Sequence, residues 1–350
     1  MRIIIDIGHP AHVHLFKHTA ASLVKNGWEV MFSVREKGEN VDLLVQYGFD
    51  FVIYGHTNRS IVSKILSLAQ KNYSLYRVIK EFKPSITISH SSFYLAQVSW
   101  LCRIPNLTLE DTGNMEQILL YLPFTKYILT PKDYNRNHGK KHLYYDGFHE
   151  TAYILPLIKN QNDFSNEKST NIILIRLVDW AASHDFGHSG LTSNTIDEII
   201  NLVGSRFQIK ILSEKPLPAH LHHLALKIQA SQLHDLLNNV RLYIGEGATL
   251  ASECALMGIP SVYVNSRSAG VINAQVEAGL LYHFKSSERV LDKIKDILSD
   301  DKYFSHHKTL AQEFLRNKID LSKFLVWFIE NYPTSASIMK ENPDYQYNFR

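Results

Sequence analysis

Five short stretches of the chain carry residue types that can do chemistry. Gly8-His9-Pro10-Ala11-His12-Val13-His14 offers three imidazoles, and His90-Ser91-Ser92 offers a fourth with two hydroxyls. Glu110-Asp111-Thr112-Gly113 is an adjacent carboxylate pair. Arg176 is followed at a short distance by His184-Asp185, Gly187 and Ser189. Gly245-Glu246-Gly247-Ala248-Thr249 leads into Glu253. Imidazoles and carboxylates near neutral pH are the ordinary means of moving protons. An arginine and a glycine turn that opens a helix are means of holding a diphosphate.

Each group has a plain alternative. His9, His12 and His14 do not share the i, i+4 helical face of a zinc protease, and no acidic partner follows at metal spacing, so no metal is expected. His12 is the favoured base, because it lies near the start of a helix where a ligand would sit, with His9 beside it. Of Glu110 and Asp111, one is expected to act as base or to orient a hydroxyl, the other to cap the turn. Asp6 sits inside an apolar strand and must be paired or hydrogen-bonded there. Arg176 could neutralise a leaving diphosphate or form a surface ion pair. Glu253 stands one to two turns into its helix, within reach of a sugar hydroxyl pair beyond the phosphates. There is no GxxxxGKS or GxxxxGKT phosphate loop and no Asp-x-Asp triplet, so a diphosphate would be neutralised by the helix end and by arginine or histidine.

The elements that must position these groups alternate between strand and helix. RIIIDI (2–7) is a buried strand followed by a helix to about Asn26; strands follow at 28–34, 51–54, 85–89 and 105–109. Helices are expected at 41–47, 60–82 and 93–102. After a polar stretch rich in Asn, Ser, Asp and Lys the pattern restarts at 171–178, with a helix from about 194 to 203, a strand at 207–212 and a short helix at 233–238. Arg241–Asn265 then reads as strand, glycine turn, helix and strand, with Gly258-Ile259-Pro260 stopping the helix. The expectation is an α/β chain of two doubly wound, Rossmann-like domains, with functional loops at the carboxyl ends of parallel strands. The boundaries are 1–155 for the first domain, 156–170 for a linker, 171–333 for the second and 334–350 for a polar tail. That tail is either disordered or packed across the other domain.

Three hundred and fifty residues at 45% hydrophobic content suit two such domains, and a net charge of +3 gives no nucleic-acid footprint. Cys102 and Cys254 form no disulfide or metal framework. No signal peptide and no run of 18 apolar residues is found, so a cytoplasmic protein without a transmembrane segment is expected. No basic amphipathic segment claims membrane contact. Ile61, Ile65 and Leu68 face either the sheet or a second copy of the chain, which would make a homodimer.

GEGATLASECALMGIPSVYV resembles the nucleotide-sugar segment of the GT-B superfamily, which includes UDP-N-acetylglucosamine 2-epimerase and the lipid-II-forming UDP-N-acetylglucosamine transferase. To about residue 330 the chain is similar to an uncharacterised, epimerase-like prokaryotic family, on MRIIIDIGHPAHVHLFK, LCRIPNLTLEDTG, RLVDWAASHDFGHSG and GEGATLASE. The resemblance implies two domains facing across a cleft. It implies that Glu253 holds the nucleotide ribose and that Ala248 and Thr249, after Gly245 and Gly247, take the diphosphate, with Arg176 and His184 beside them. Glu110 falls where the epimerases carry a carboxylate. The chain departs from them in its first loop, at Ile175 where they have a histidine, and at Leu107-Thr108-Leu109-Glu110.

The function expected is a nucleotide-sugar-dependent glycosyltransferase in cell-surface polysaccharide or glycolipid assembly. Its donor would be UDP-linked and its acceptor a glycan or a lipid-linked sugar, with no cofactor and no metal. Two alternatives stand beside it: an epimerase or hydrolase acting on the donor alone, and a non-catalytic GT-B scaffold.

Overall fold

The computed structural model describes residues 1–37, 39–56, 61–160, 171–179, 190–266, 270–300 and 302–350, without the side chains of 56, 61–67, 159–160 and 270–271. The chain divides into two compact units, one of Met1–Pro156 with Lys318–Arg350 and one of Leu157–Asn317.

Unit 1 begins β1 (Arg2–Ile7), α1 (Pro10–Lys25), β2 (Glu29–Glu36), α2 (Asn40–Gln46), β3 (Phe51–His56) and α3 (Ile61–Phe82). It continues β4 (Ile86–His90), α4 (Phe93–Leu101), β5 (Asn106–Leu109), α5 (Met115–Tyr121), β6 (Tyr127–Pro131), β7 (His142–Tyr145) and α6 (Thr151–Asn160), whose last turn opens unit 2. The seven strands are parallel in the order β3-β2-β1-β4-β5-β6-β7. Residues Ile3, Ile4, Ile5 and Ile7 are all fully buried. That is what a central strand covered on both faces requires, and it explains why the sequence there is a run rather than an alternation. The strand order reverses between β1 and β4, the place where open parallel sheets leave a crevice for ligands.

Unit 2 holds β8 (Ile172–Leu177), α7 (Ser193–Val203), β9 (Gln208–Ser213), α8 (Leu233–Leu237), β10 (Val240–Gly245), α9 (Ala248–Leu256), β11 (Ser261–Val264), α10 (Gly270–Glu277), β12 (Leu281–Phe284), α11 (Val290–Ser299) and α12 (Lys302–Arg316). Its parallel sheet runs β12-β11-β10-β8-β9, and the reversal falls between β8 and β10. One apolar cluster, including Ile173, Ile199 and Ile294, covers one face of this sheet; another, including Leu174, Cys254 and Leu281, covers the other. Gly258 ends α9 at φ +76, and a side chain there would meet the α12 backbone at Lys308, 2.8 Å away. Only glycine meets both demands.

The chain then returns to unit 1 as α13 (Leu321–Glu330), α14 (Thr334–Glu341) and a 3₁₀ segment at Pro343–Phe349. The second unit therefore ends at Asn317 and not at 333, and residues 334–350 are ordered in helices against the first unit. Helix α13 packs on α1 and buries Phe324, Leu325 and Phe328. Asp146, just after β7, fixes the return: it accepts from Lys318 Nζ at 2.7 Å and from the Tyr347 hydroxyl at 2.9 Å. Its backbone N–H donates to Gln346 at 2.6 Å. A reading by strand–helix alternation assigns a helix to the sheet it follows in sequence, and α13 serves the other one.

Candidate functional site

At the reversal point of unit 1 the loops after β1, β4, β5 and β7 bring histidines and carboxylates together. His9 is the N-cap of α1 and accepts through Nδ1 from the Ala11 N–H at 3.2 Å. His12 accepts through Nδ1 from the Gly8 N–H at 3.3 Å. An imidazole whose Nδ1 accepts a hydrogen bond carries its single proton on Nε2 when neutral. His9 is exposed and the neighbouring cations Lys37, His90 and Arg35 act to lower its pKa; desolvation, then His90, His9 and His149, hold half-buried His12 well below its ordinary value. Both rings therefore present N–H donors. His12 and His9, the expected bases, thus have Nδ1 occupied and offer Nε2 to the loop edge. His14 points into the core, with its ring 5.7 Å from Tyr153.

Glu110 is fully buried and its two oxygens are filled. One accepts from the Thr112 and Gly113 N–H groups and the Thr112 hydroxyl, at 2.7 to 2.8 Å. The other accepts from Ser91 at 2.5 Å and Tyr121 at 2.7 Å. Burial raises its pKa, but His90 and these donors outweigh it and the carboxyl is held below its usual range. Of the adjacent pair, Glu110 holds the turn and has no oxygen left for a substrate proton.

Asp111 faces the histidines. His90 Nε2 lies 3.0 Å from one of its oxygens and His149 Nδ1 lies 2.8 Å from the other. Burial acts against the Asp111 charge, but the two imidazoles outweigh it and hold the carboxyl well below its usual range. Burial also lowers His90, and the Asp111 hydrogen bond and charge, with Glu110 and Glu150, more than reverse this. The His12 ring lies tilted against His90 at 4.6 Å, and His149 meets His90 edge-on at 4.7 Å. In the neutral ring, Nδ1 donating to Asp111 leaves the lone pair on His149 Nε2, which is buried and without a hydrogen-bond partner among the described residues. This is the dyad geometry in which a carboxylate orients an imidazole and leaves its far nitrogen basic. His149 was not among the expected site residues; its signal, a histidine just past the carboxyl end of a parallel strand, is the one that singles out His90. The nitrogens of His90 and His149 and the Asp111 oxygens lie within 4.8 Å of one another, so the same three residues could ligate a metal ion if both bridging protons left.

In unit 2, Gly245 of β10 pairs with Arg176 of β8 at the reversal point. A side chain at 245 would stand 2.8 Å from the Arg176 Cβ, so glycine here allows close packing and not a left-handed turn. Gly247 is the N-cap of α9 and no side chain caps that end, leaving the N–H groups of Ala248 and Thr249 in its first turn. Arg176 is bound by Glu214 at 2.5 Å, and Glu214 also accepts from the Asp179 N–H at 3.0 Å. Glu253 is only 5% exposed and faces His234 at 3.3 Å. Glu246, absent from the expected set, accepts from the Val178 N–H at 2.9 Å and the Leu191 N–H at 2.8 Å. It thereby holds both shoulders of the loop after β8, and Gly190 has no room for a side chain against its carboxylate. His184, with Asp185, Gly187 and Ser189, lies outside the described residues.

Two doubly wound units of this topology define the GT-B fold, and comparison with solved structures agrees. The chain matches UDP-GlcNAc 2-epimerase from Neisseria meningitidis bound to UDP-GlcNAc at a TM-score of 0.67 and 12% identity, over 95% of this chain and 100% of that one. It matches MurG of Acinetobacter baumannii at 0.59 and 13%, over 94% and 99%. Residues 1–174 match the family described as a protein of unknown function, DUF354, which bears out the resemblance to an uncharacterised family. An uncharacterised protein of Methanocaldococcus jannaschii is 23% identical over 310 residues, covering 84% of this chain and 91% of that protein. No helix among the described residues is long and apolar enough to cross a membrane.

Proposed function

We propose that the protein is a nucleotide-sugar-dependent glycosyltransferase in cell-surface polysaccharide or glycolipid assembly, with a UDP-linked donor and a glycan or lipid-linked acceptor. The observation that carries the reading is the Asp111–His149 pair, with a basic nitrogen turned away from its carboxylate. The acceptor hydroxyl gives its proton to His149 Nε2 as its oxygen bonds to the sugar's anomeric carbon. The bond from that carbon to the diphosphate breaks, and the diphosphate leaves with the electron pair. His9 and His12 donate through Nε2 to oxygens of the acceptor. On unit 2, the uncapped start of α9 at Ala248 and Thr249 takes the diphosphate charge, and Arg176 adds to it by exchanging Glu214 for phosphate. Glu253 turns from His234 to the ribose.

A second reading, epimerisation of the donor sugar, is favoured by one feature. Asp111 holds two imidazoles, His90 and His149, one on each oxygen, and removing a proton from carbon and returning it needs two such groups. The two readings part in one assay. UDP-sugars are incubated with and without oligosaccharide or lipid-linked acceptors in deuterated water. Acceptor-dependent release of UDP supports transfer; deuterium entering the sugar with donor alone supports epimerisation. If no nucleotide or nucleotide sugar shifts the unfolding temperature, both readings fail and the scaffold reading replaces them.

A further inference from the structure

At the other side of β1, the carboxyl edge carries two cations that the chemistry above does not use. Arg35, near the end of β2, reaches back across the β1 loop, and its Nη2 lies 3.0 Å from where a side chain on Gly8 would begin. Lys71 of α3 lays its stem against Gly55 at the end of β3 and is 6% exposed. Both cationic groups approach the ring of Tyr94, Arg35 at 5.6 Å and Lys71 at 5.9 Å. Neither makes an ion pair or a side-chain hydrogen bond among the described residues, and Arg35 Nε is buried without a partner.

The nearby carboxylate, Asp6, accepts from Ser33 at 2.6 Å and Tyr54 at 3.2 Å, and no ion pair joins it to either cation among the described residues. The surroundings are positive in other ways. The sixteen-residue α1 begins beside Arg35 with no acidic residue in its first turn, and Lys37 acts on His9 from the same side. Burial and the charge of Arg35 push the Lys71 ammonium down. Lys71 is buried and Arg35 half-buried, and two cations facing one aromatic ring without a paired counter-charge repel each other. A fold keeps such a pair where an anion completes it. A guanidinium fork, a point-charge ammonium and a helix amino end together match an oxyanion.

We propose that Arg35, Lys71 and the amino end of α1 form a site for an oxyanionic group, phosphate or carboxylate, on the molecule that occupies this edge of unit 1. The site extends the reading of this edge as the acceptor side and places a negative charge on the acceptor beside the Asp111–His149 pair.

The test is thermal unfolding of the full chain in inorganic phosphate, in malonate and in chloride at matched ionic strength. Wild type is expected to gain stability in phosphate or malonate over chloride, and the larger gain names the group. Arg35→Gln and Lys71→Met should lose the gain, and Gly8→Ala should weaken it by pushing the guanidinium aside. Without anion, Lys71→Met should unfold no lower than wild type, because a repulsion has been removed; a merely structural lysine would lower it. Arg35→Lys and Lys71→Arg, which keep the charge, should retain a reduced response and serve if the neutral variants do not fold. A gain absent in wild type, or retained in both neutral variants, overturns the proposal. No nucleotide enters the assay, so that failure leaves the nucleotide-sugar reading of unit 2 standing, and the reverse also holds.

Discussion

His9, His12, His90 and His149 are chemically identical side chains with different work, and the hydrogen bond each makes assigns it. Where a backbone N–H occupies Nδ1, as in His9 and His12, the ring donates; where Nδ1 donates to Asp111, as in His149, the far nitrogen is basic. Replacing His149 by Ala should lower turnover by about 10²-fold or more, the usual worth of general base catalysis, with the unfolding shift by UDP unchanged. Asp111→Asn should lower turnover as well, because the amide no longer selects the Nδ1–H form. Loss of the UDP shift in either variant would show instead a damaged fold. Glu110→Gln belongs to a different class: it disturbs a buried carboxylate with five donors and should cost about 2–4 kcal/mol in stability, read by chemical denaturation. Chelators should leave turnover as it is. A loss restored by one divalent ion would make His90, Asp111 and His149 ligands in place of a dyad.

At the scale of elements, the strands and their polar ends were legible because a parallel sheet covered on both faces writes itself as short apolar runs. The runs at Ile3–Ile7, Ile86–Ser89 and Leu242–Ile244 are of this kind. What the sequence could not show was pairing across distance. Glu246 reads as the middle of a glycine turn, yet its side chain holds Val178 and Leu191, 68 and 55 residues away. His149 reads as a turn residue until β7 is placed beside β6 at the end of the sheet. The expected elements leave the stretch between Gly113 and Tyr144 unassigned, and the structure has α5 and β6 there. Glu246→Ala should speed amide exchange at Val178 and Leu191 and weaken nucleotide binding, while Glu246→Gln, which keeps one acceptor oxygen, should restore one of the two shoulders. Exchange unchanged at both amides would show that the loop is held by other means.

For the whole molecule, two buried histidines, one in each unit, tie stability to acidity. His142 is lowered to about 4 by burial and then by His138; His307 is lowered to about 4 by burial and then by His306 and Lys293. Their folded values lie below the unfolded value near 6.5, so the unfolded chain binds the extra protons. Stability should therefore be full above pH 6.5 and fall as the pH drops toward 4, in both units. Denaturation midpoints measured across that range check this, and His142→Gln should remove its own share of the fall in unit 1, where His12 and His18 are lowered too. Removing 334–350 should loosen that same unit, since Gln346 and Tyr347 anchor Asp146.

The return of the chain at Lys318 also orders events during synthesis. Unit 2 is continuous in sequence and can close once Asn317 has left the ribosome. Unit 1 has its sheet by Tyr145, but the helices that cover α1 and fasten Asp146 arrive only after all of unit 2. In the interval the face of α1 that receives Phe324 and Phe328 is open, and the first unit made is the last one finished. A released chain truncated after residue 317 should therefore yield a protease-resistant unit 2 beside an N-terminal unit that is cleaved more readily.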